Sequence, residues 1–229
     1  MRPVDAGFVL VHSPLVGPLT WAPVAAALTA AVVPSLLGVT DAPPPFWPAI
    51  ARRVAEAADG LPDGVPVVIA AHSNAGYFVP VIVEAVRRRR PVAGCVFVDG
   101  ALPARTGPTP IVAPILPAAT GGRLPPWTAW WPDADVARLF PDPRTRHAVE
   151  AEVPRLPLTY YRQEVPVPAG WDTVPCGYLR FSEHYAPKAQ EARARGWDVE
   201  HAPGLHLHQL VDPETVAARL TAMAARWQA

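Results

Sequence analysis

The feature that most constrains the fold of this chain is an alternation of apolar, strand-like runs with helical runs. Runs rich in β-branched and aromatic residues predict buried strands at 7–11, 31–35, 65–73, 92–100, 176–182 and 198–202. The stretches between and after them predict helices at 20–30, 45–59, 76–90, 186–197 and 212–228, with Thr20 as a helix cap and Asp212 or Pro213 at the start of the last helix. Strands separated by helices form a parallel sheet covered on both faces. We therefore expect an α/β fold with a mostly parallel sheet of about six strands.

The alternation breaks after the fourth clear strand. Residues 101–172 are rich in proline and tryptophan, with helical patterns near 133–140 and 143–153. This predicts a core formed by 1–100 and 173–229, interrupted by a small lid or cap insertion at 101–172. In parallel sheets, reactive groups collect beyond the carboxyl ends of the strands. We expect the insertion to cover that edge.

Composition excludes several classes of function. The charges balance at 20 basic and 20 acidic residues, which argues against nucleic acid as a partner. No apolar run reaches the ~18–20 residues that cross a bilayer, and the start lacks a signal-peptide pattern. We expect a cytoplasmic monomer or homodimer without a membrane partner or a cofactor. Cys95 and Cys176 lie in apolar runs, which favours two buried reduced thiols.

The segment VVIAAHSNAGYFVP, residues 67–80, places Ser73 where a strand is predicted to end and a helix to begin. A serine nucleophile must project from a sharp turn, and that turn requires small neighbours. Ala71, Ala75 and Gly76 satisfy this requirement. The helix N-terminus would also favour negative charge developing nearby. The alternative is that Ser73 only caps the helix.

A serine hydroxyl needs a base, and the base needs an acid to orient it. His206 lies between the last predicted strand and the last predicted helix, which makes it the candidate base. Two candidate acids lie between Ser73 and His206 in the chain. Asp99 ends the fourth clear strand, and Glu183 follows the strand at 176–182.

Three segments resemble the α/β-hydrolase superfamily: AHSNAG resembles its nucleophile turn, FVLVHSPLVGPLTW its His-Gly loop, and GLHLHQLVDPETVAARL its terminal histidine segment. The resemblance implies a fold lacking the usual first two strands, with Ser73 as nucleophile and His206 as base. Most members carry the acid after the penultimate strand, as at Glu183. Some, such as haloalkane dehalogenases, carry it one strand earlier, as at Asp99. We prefer Asp99 and keep both.

The resemblance also implies an oxyanion hole made by two backbone N–H groups. One belongs to Asn74. The other would belong to Pro14, which has no N–H. The candidate replacements are the Leu15 N–H, our first choice, the Ser13 hydroxyl and the Asn74 side chain. The missing donor also keeps open non-hydrolytic chemistry, such as a lyase, cyclase or decarboxylase.

Aromatic residues in the insertion indicate the kind of substrate. Trp127, Trp130, Trp131 and Tyr160 are expected to line a pocket for a hydrophobic or aromatic small molecule. The main hypothesis is a serine hydrolase acting on a hydrophobic ester, thioester or lactone. A catalytically silent small-molecule binder is a further alternative. A metal site formed by the neighbouring His201, His206 and His208 matches no strong ligand spacing, and we expect none.

Overall fold

A computed structural model describes residues 6–113 and 116–227 of the chain. Its strands are β1 (Gly7–Val11), β2 (Ala31–Val32), β3 (Val67–His72), β4 (Val92–Val98), β5 (Thr109–Pro110), β6 (Glu164–Val165), β7 (Cys176–Arg180) and β8 (Asp198–His201). Six of them form one parallel sheet in the order β2-β1-β3-β4-β7-β8. The predicted α/β class and the strand number are confirmed.

Helices connect the strands and cover the sheet. The α-helices are α1 (Ala22–Ala27), α2 (Trp47–Ala57), α3 (Val79–Arg87), α4 (Asp133–Ala137), α5 (Pro143–Glu150), α6 (Ala186–Ala194), α7 (His208–Val211) and α8 (Pro213–Arg226). Short 3-10 helices span Pro18–Thr20, Ala58–Gly60, Ser73–Phe78, Trp127–Trp130, Leu158–Arg162, Trp171–Thr173 and Glu183–Tyr185.

Two apolar clusters hold the helices to opposite faces of the sheet. Along β3, Ile69 and Ala71 belong to the cluster that includes α2 and α3, whereas Val68 and Ala70 belong to the cluster that includes α1 and α8. Successive side chains of a strand point to opposite faces, so a strand between two helical layers is apolar throughout. All of β3 is buried for this reason. The end of β3 is therefore held by packing on both faces, and this fixes where the residues that follow begin.

Residues 101–172, predicted to be an insertion, share an apolar cluster with the sheet and also contain structure that the sequence did not indicate. The two residues of β5 pair with those of β6 in a small antiparallel sheet. Val165 of β6 joins the main apolar cluster. Two-residue strands are too short for a periodic pattern, so their pairing was not predicted.

The two predicted helix caps behave differently. The side chain of Asp212 accepts the Thr215 N–H at 3.1 Å and caps α8, as predicted. Thr20 is not a cap, since it lies inside a 3-10 helix and its hydroxyl donates to the Gly17 carbonyl at 2.8 Å. Within residues 6–113 and 116–227, no helix combines the length and apolar character needed to span a bilayer.

Candidate active site

The chain turns sharply between β3 and the helical segment that follows it. Ser73 is the first residue after β3 and has a φ of 58°, a left-handed conformation that non-glycine residues rarely adopt. Ala71 and Ala75 on either side are fully buried. A Cβ on Gly76 would overlap the carbonyl oxygen of Ala101, so only glycine fits there. Close backbone packing beside Ser73 thus requires the glycine that the sequence has at position 76.

A chain of hydrogen bonds joins Ser73 to two distant side chains. The Ser73 Oγ lies 3.0 Å from His206 Nε2, and His206 Nδ1 lies 2.8 Å from Asp99 Oδ2. Asp99 is fully buried, whereas 17% of the His206 side chain is exposed. With Asp99 ionised, Nδ1 carries the proton and Nε2 is free to accept one from the serine. The three groups have the geometry needed to activate a hydroxyl.

Asp99 receives three more hydrogen bonds from the residues after β7. The N–H groups of Phe181 and Ser182 each donate to its Oδ1 at 2.9 Å, and the Ser182 hydroxyl donates to Oδ2 at 2.8 Å. Burial raises the pKa of Asp99, but these bonds and the contact with His206 outweigh it and hold the pKa below its usual value. The carboxylate is therefore ionised and fixed. The sequence did not indicate the contribution of Ser182.

Glu183, the other candidate acid, is not brought to His206. Its side chain is 83% exposed and pairs with Arg180 at 2.5 Å. It starts the 3-10 helix Glu183–Tyr185, which turns its carboxylate towards solvent. The structure therefore assigns the position beside His206 Nδ1 to Asp99 and leaves Glu183 as a surface carboxylate.

The imidazole of His206 is also held by two neighbouring rings. The ring of Tyr185 stacks nearly parallel to it, with centroids 5.1 Å apart and an angle of 12°. The ring of His72 packs against it with centroids 4.6 Å apart, and His72 donates its Nε2–H to the His206 carbonyl at 2.8 Å. Burial lowers the pKa of His72 to about 3, so this ring is neutral. Tyr185 is a site residue that the sequence did not reveal.

A second buried histidine fixes the loop after β1. His12 Nε2 accepts the Leu36 N–H at 2.9 Å, and its Nδ1–H donates to the Ser13 carbonyl at 2.8 Å. Burial lowers the pKa of His12 to about 4, which keeps it neutral and able to make both bonds. The loop that carries Pro14 is thereby tied to the segment after β2.

The candidate oxyanion residues Ser13, Leu15 and Asn74 all line the cavity beside Ser73. The Leu15 N–H donates to the Ser13 Oγ at 3.2 Å. The Asn74 Oδ1 accepts the hydroxyl proton of Tyr160 at 3.1 Å. The preferred replacement for the missing Pro14 N–H, the amide of Leu15, is therefore already engaged by a side chain of its own loop.

The cavity has a volume of about 530 Å³ and a mostly apolar wall. Trp127, Trp130 and Trp131 line it, as expected. Tyr160 does not: it is fully buried behind Asn74, and Tyr161 lines the cavity instead. The adjacent tyrosines lie in the 3-10 helix Leu158–Arg162, whose tight turn points them to different sides.

The three histidines of the C-terminal segment contact different partners. Arg180 Nη2 donates to His201 Nδ1 at 3.1 Å, and His208 packs edge-on against Phe181 with centroids 5.4 Å apart. His206 bonds to Ser73 and Asp99, as described above. In the part of the chain that the structure describes, no group of three or more potential ligands is arranged to hold a metal.

A parallel sheet of this order, with a serine in a tight turn after a central strand and a histidine after the last strand, defines an α/β-hydrolase. The family model described as the Alpha/beta hydrolase family matches residues 8–219. This chain belongs to that family. No curated protein sequence matches it significantly.

Solved structures with the same fold include several proteins described as hydrolases or esterases. A pyrethroid hydrolase from Sphingobium faniae JZ-2 is 16% identical, with a TM-score of 0.69 and coverage of 96% of this chain and 97% of that chain. A polyneuridine aldehyde esterase is 15% identical, with a TM-score of 0.67 and coverage of 96% and 99%. A methylesterase from Arabidopsis is 14% identical, with a TM-score of 0.60 and coverage of 96% and 99%. At these identities the likeness establishes the fold alone.

Proposed function

We propose that this protein hydrolyses a hydrophobic carboxylic ester, thioester or lactone through an acyl-enzyme intermediate on Ser73. The observation that carries the proposal is the continuous hydrogen-bond chain from Ser73 Oγ through His206 to the buried carboxylate of Asp99. The solved structures with hydrolase and esterase descriptions are consistent with this chemistry.

Each of the three groups has a distinct role in the proposed reaction. His206 Nε2 takes the proton of Ser73 as its Oγ attacks the substrate carbonyl, and then gives that proton to the leaving oxygen or sulfur. A water molecule then attacks the acyl carbonyl while His206 takes one of its protons, and His206 returns that proton to Ser73 Oγ as the bond between Oγ and the acyl carbon breaks. Asp99 stabilises the imidazolium that forms in each half of the reaction.

The form of the cavity supports a bulky, apolar acyl or alcohol group in the substrate. Its wall is mostly hydrophobic, and Trp127, Trp130, Trp131 and Tyr161 supply four aromatic rings. Flat apolar walls of this kind favour an aromatic or branched hydrophobic ligand. We propose that residues 101–172, which carry these rings, act as a lid that limits the access of water.

The test is covalent labelling with a fluorophosphonate, followed by peptide mass spectrometry. We expect one label, on Ser73, which is absent in Ser73→Ala and forms at least about 10³-fold more slowly in His206→Ala. A series of p-nitrophenyl esters with acyl chains of increasing size should be hydrolysed by the wild type and not by Ser73→Ala. Circular dichroism of each variant controls for folding. Ester turnover that survives Ser73→Ala would rule out the acyl-enzyme.

Pro14 favours a second candidate function. Without its N–H, the site lacks one backbone donor for a tetrahedral oxyanion, and removing one such donor slows acyl transfer by about 10²–10³. A lyase or decarboxylase in the same cavity would use Ser73 and His206 for proton transfer and would form no acyl-enzyme. It would bind apolar ligands, resist fluorophosphonate and convert its substrate without incorporating ¹⁸O from labelled water.

A further inference from the structure

The residue after the proposed nucleophile is held by a tyrosine of the insertion. Asn74 follows Ser73 directly, and its side-chain Oδ1 accepts the hydroxyl proton of Tyr160 at 3.1 Å. Tyr160 is fully buried, and its ring packs against Phe78 with centroids 6.3 Å apart. Because the Tyr160 ring is held by packing, its hydroxyl holds the Asn74 Oδ1 on one side.

The hydrogen bond fixes the whole amide of Asn74, because a side-chain amide is planar. When Oδ1 is held on the Tyr160 side, the two N–H groups of Nδ2 point away from it. Asn74 lines the cavity, and its Nδ2 makes no hydrogen bond to any residue in 6–113 or 116–227. A hydrogen-bond donor is therefore directed and uncommitted next to Ser73.

The backbone near Ser73 has few free N–H groups that could bind a negatively charged substrate oxygen. Pro14 has no N–H, and the Leu15 N–H donates to Ser13 Oγ at 3.2 Å. Charge that develops on a substrate oxygen is stabilised by donors that are oriented before the reaction. The Asn74 amide has this property because Tyr160 orients it.

We propose that the side-chain amide of Asn74 donates its Nδ2–H to the substrate carbonyl oxygen as that oxygen becomes negative, and that Tyr160 is the positioning residue for this donor. The inference rests on the proposed ester hydrolysis. It makes the insertion part of the reaction machinery, because a buried side chain of residues 101–172 sets the direction of a group that touches the reacting atoms.

Three substitutions distinguish the role of the donor, Asn74, from that of its positioning residue, Tyr160. Asn74→Asp keeps an acceptor for the Tyr160 hydroxyl but has no N–H, and Asn74→Ala removes the side chain. Either should lower kcat on a p-nitrophenyl ester by about 10²-fold, with KM changed by less than about threefold. Tyr160→Phe keeps the ring and removes only the hydroxyl. It should lower kcat about tenfold, again with little change in KM, because the amide is then free to turn.

Combining the substitutions tests whether the Tyr160 hydroxyl acts through the Asn74 amide. Tyr160→Phe in the Asn74→Ala background should cause no further loss of kcat, since the group that Tyr160 orients is already gone. The matched control is Thr109→Val, which removes a partly buried hydrogen bond within residues 101–172, from Ala104 N–H to Thr109 Oγ1 at 2.9 Å, that does not involve Asn74. This control should keep wild-type kcat.

The rate of Ser73 phosphonylation distinguishes failure of the inference from failure of the proposed function, because the phosphonyl oxygen occupies the same position as the oxyanion. A labelled wild type with slow labelling of all Asn74 and Tyr160 variants supports both. If the wild type is labelled and Asn74→Asp is labelled at the same rate, the inference is overturned and the proposed hydrolysis is not. The same holds if the losses of labelling rate in Tyr160→Phe and Asn74→Ala multiply in the double variant. An unlabelled wild type overturns the hydrolase and this role together.

Discussion

Ser73 and Asp99 share a backbone conformation that L-amino acids rarely adopt, with φ of 58° at Ser73 and 38° at Asp99. No other non-glycine residue among those described has a positive φ. They follow the adjacent strands β3 and β4, and the Ala101 N–H, two residues after Asp99, donates to the Ser73 carbonyl at 3.0 Å. Each such residue costs about 1–3 kcal/mol and persists only where its surroundings enforce it. The two ends of the hydrogen-bond chain are thus held in mutually supporting turns.

Replacing Asp99 by Asn should abolish most activity and leave the fold intact. Asparagine accepts a positive φ and can still receive the N–H groups of Phe181 and Ser182. Its amide nitrogen would then face His206 Nδ1 and force the wrong tautomer, so kcat should fall by up to about 10⁴-fold. The measurement is ester hydrolysis by Asp99→Asn beside Glu183→Gln, which should stay within about twofold of wild type. A larger loss in Glu183→Gln than in Asp99→Asn would reverse the assignment.

Acid should destabilise the protein through its buried neutral histidines. Burial lowers the pKa of His12 from 6.5 to about 4, so between these values the unfolded chain binds a proton that the folded protein does not. The free energy of unfolding should therefore fall as the pH falls from 6.5 to 4, by up to about 1.4 kcal/mol per pH unit for this residue. Urea unfolding at pH 7.5, 6 and 5 should show a shallower slope for His12→Gln. Equal slopes would show that His12 is not the neutral, buried group described here.

Gly76 should tolerate no side chain. A Cβ there would overlap the carbonyl oxygen of Ala101, which belongs to the backbone and cannot move aside. We expect Gly76→Ala to lower the free energy of unfolding by at least about 2 kcal/mol. Gly60→Ala is the matched control, because its Cβ would meet only Val32 Cγ1 at an ordinary 3.4 Å. Denaturant unfolding of both variants makes the comparison, and equal stability of the two would contradict the packing around Ser73.

The two thiols should be unreactive in the folded protein. Cys95 and Cys176 are paired on adjacent strands with their Sγ atoms 3.4 Å apart, and both are buried. The hydrogen bond with Cys176 and burial raise the pKa of Cys95, so its reactive thiolate is suppressed. A thiol reagent such as DTNB at pH 8 should titrate neither cysteine in buffer and both in urea. Rapid reaction in buffer would mean that the strands β4 and β7 open readily.

Trp131 should affect large substrates more than small ones. Its side chain lines the cavity but is 40% exposed, so its removal should disturb the fold little. Trp131→Ala should raise KM for an aromatic acyl ester by about three- to tenfold, since the ring contributes contact area only to a bulky ligand. For p-nitrophenyl acetate, kcat/KM should be unchanged. An equal loss for both esters would place Trp131 outside the substrate contact.

The sequence was sufficient for the sheet and for two members of the hydrogen-bond chain, Ser73 and His206, because these depend on local patterns. Alternating apolar runs predicted the strands, and small residues around Ser73 predicted its turn. The sequence favoured Asp99 but left Glu183 open, since both follow a strand and only the arrangement of β4 beside β3 decides which one meets His206. That arrangement is a property of the folded chain.

Contacts made by loops could not be predicted from the sequence for the same reason. Ser182 and Tyr185 meet the site only because the segment after β7 curves back over Asp99 and His206. Tyr160 and Tyr161 are adjacent and of the same type, so no pattern could tell which one faces the cavity. The 3-10 helix that separates them is five residues long, too short to show a period in the sequence.

The positions of Ser73 and Asp99 on neighbouring strands have a consequence for how the proposed reaction centre is assembled. The ladder between β3 and β4 sets the spacing of these two residues as soon as the middle of the sheet forms. Only the imidazole arrives from elsewhere, on the segment between β8 and α7. During refolding, competence to react should therefore return with the docking of that C-terminal segment, after the signal of the central sheet has already been recovered.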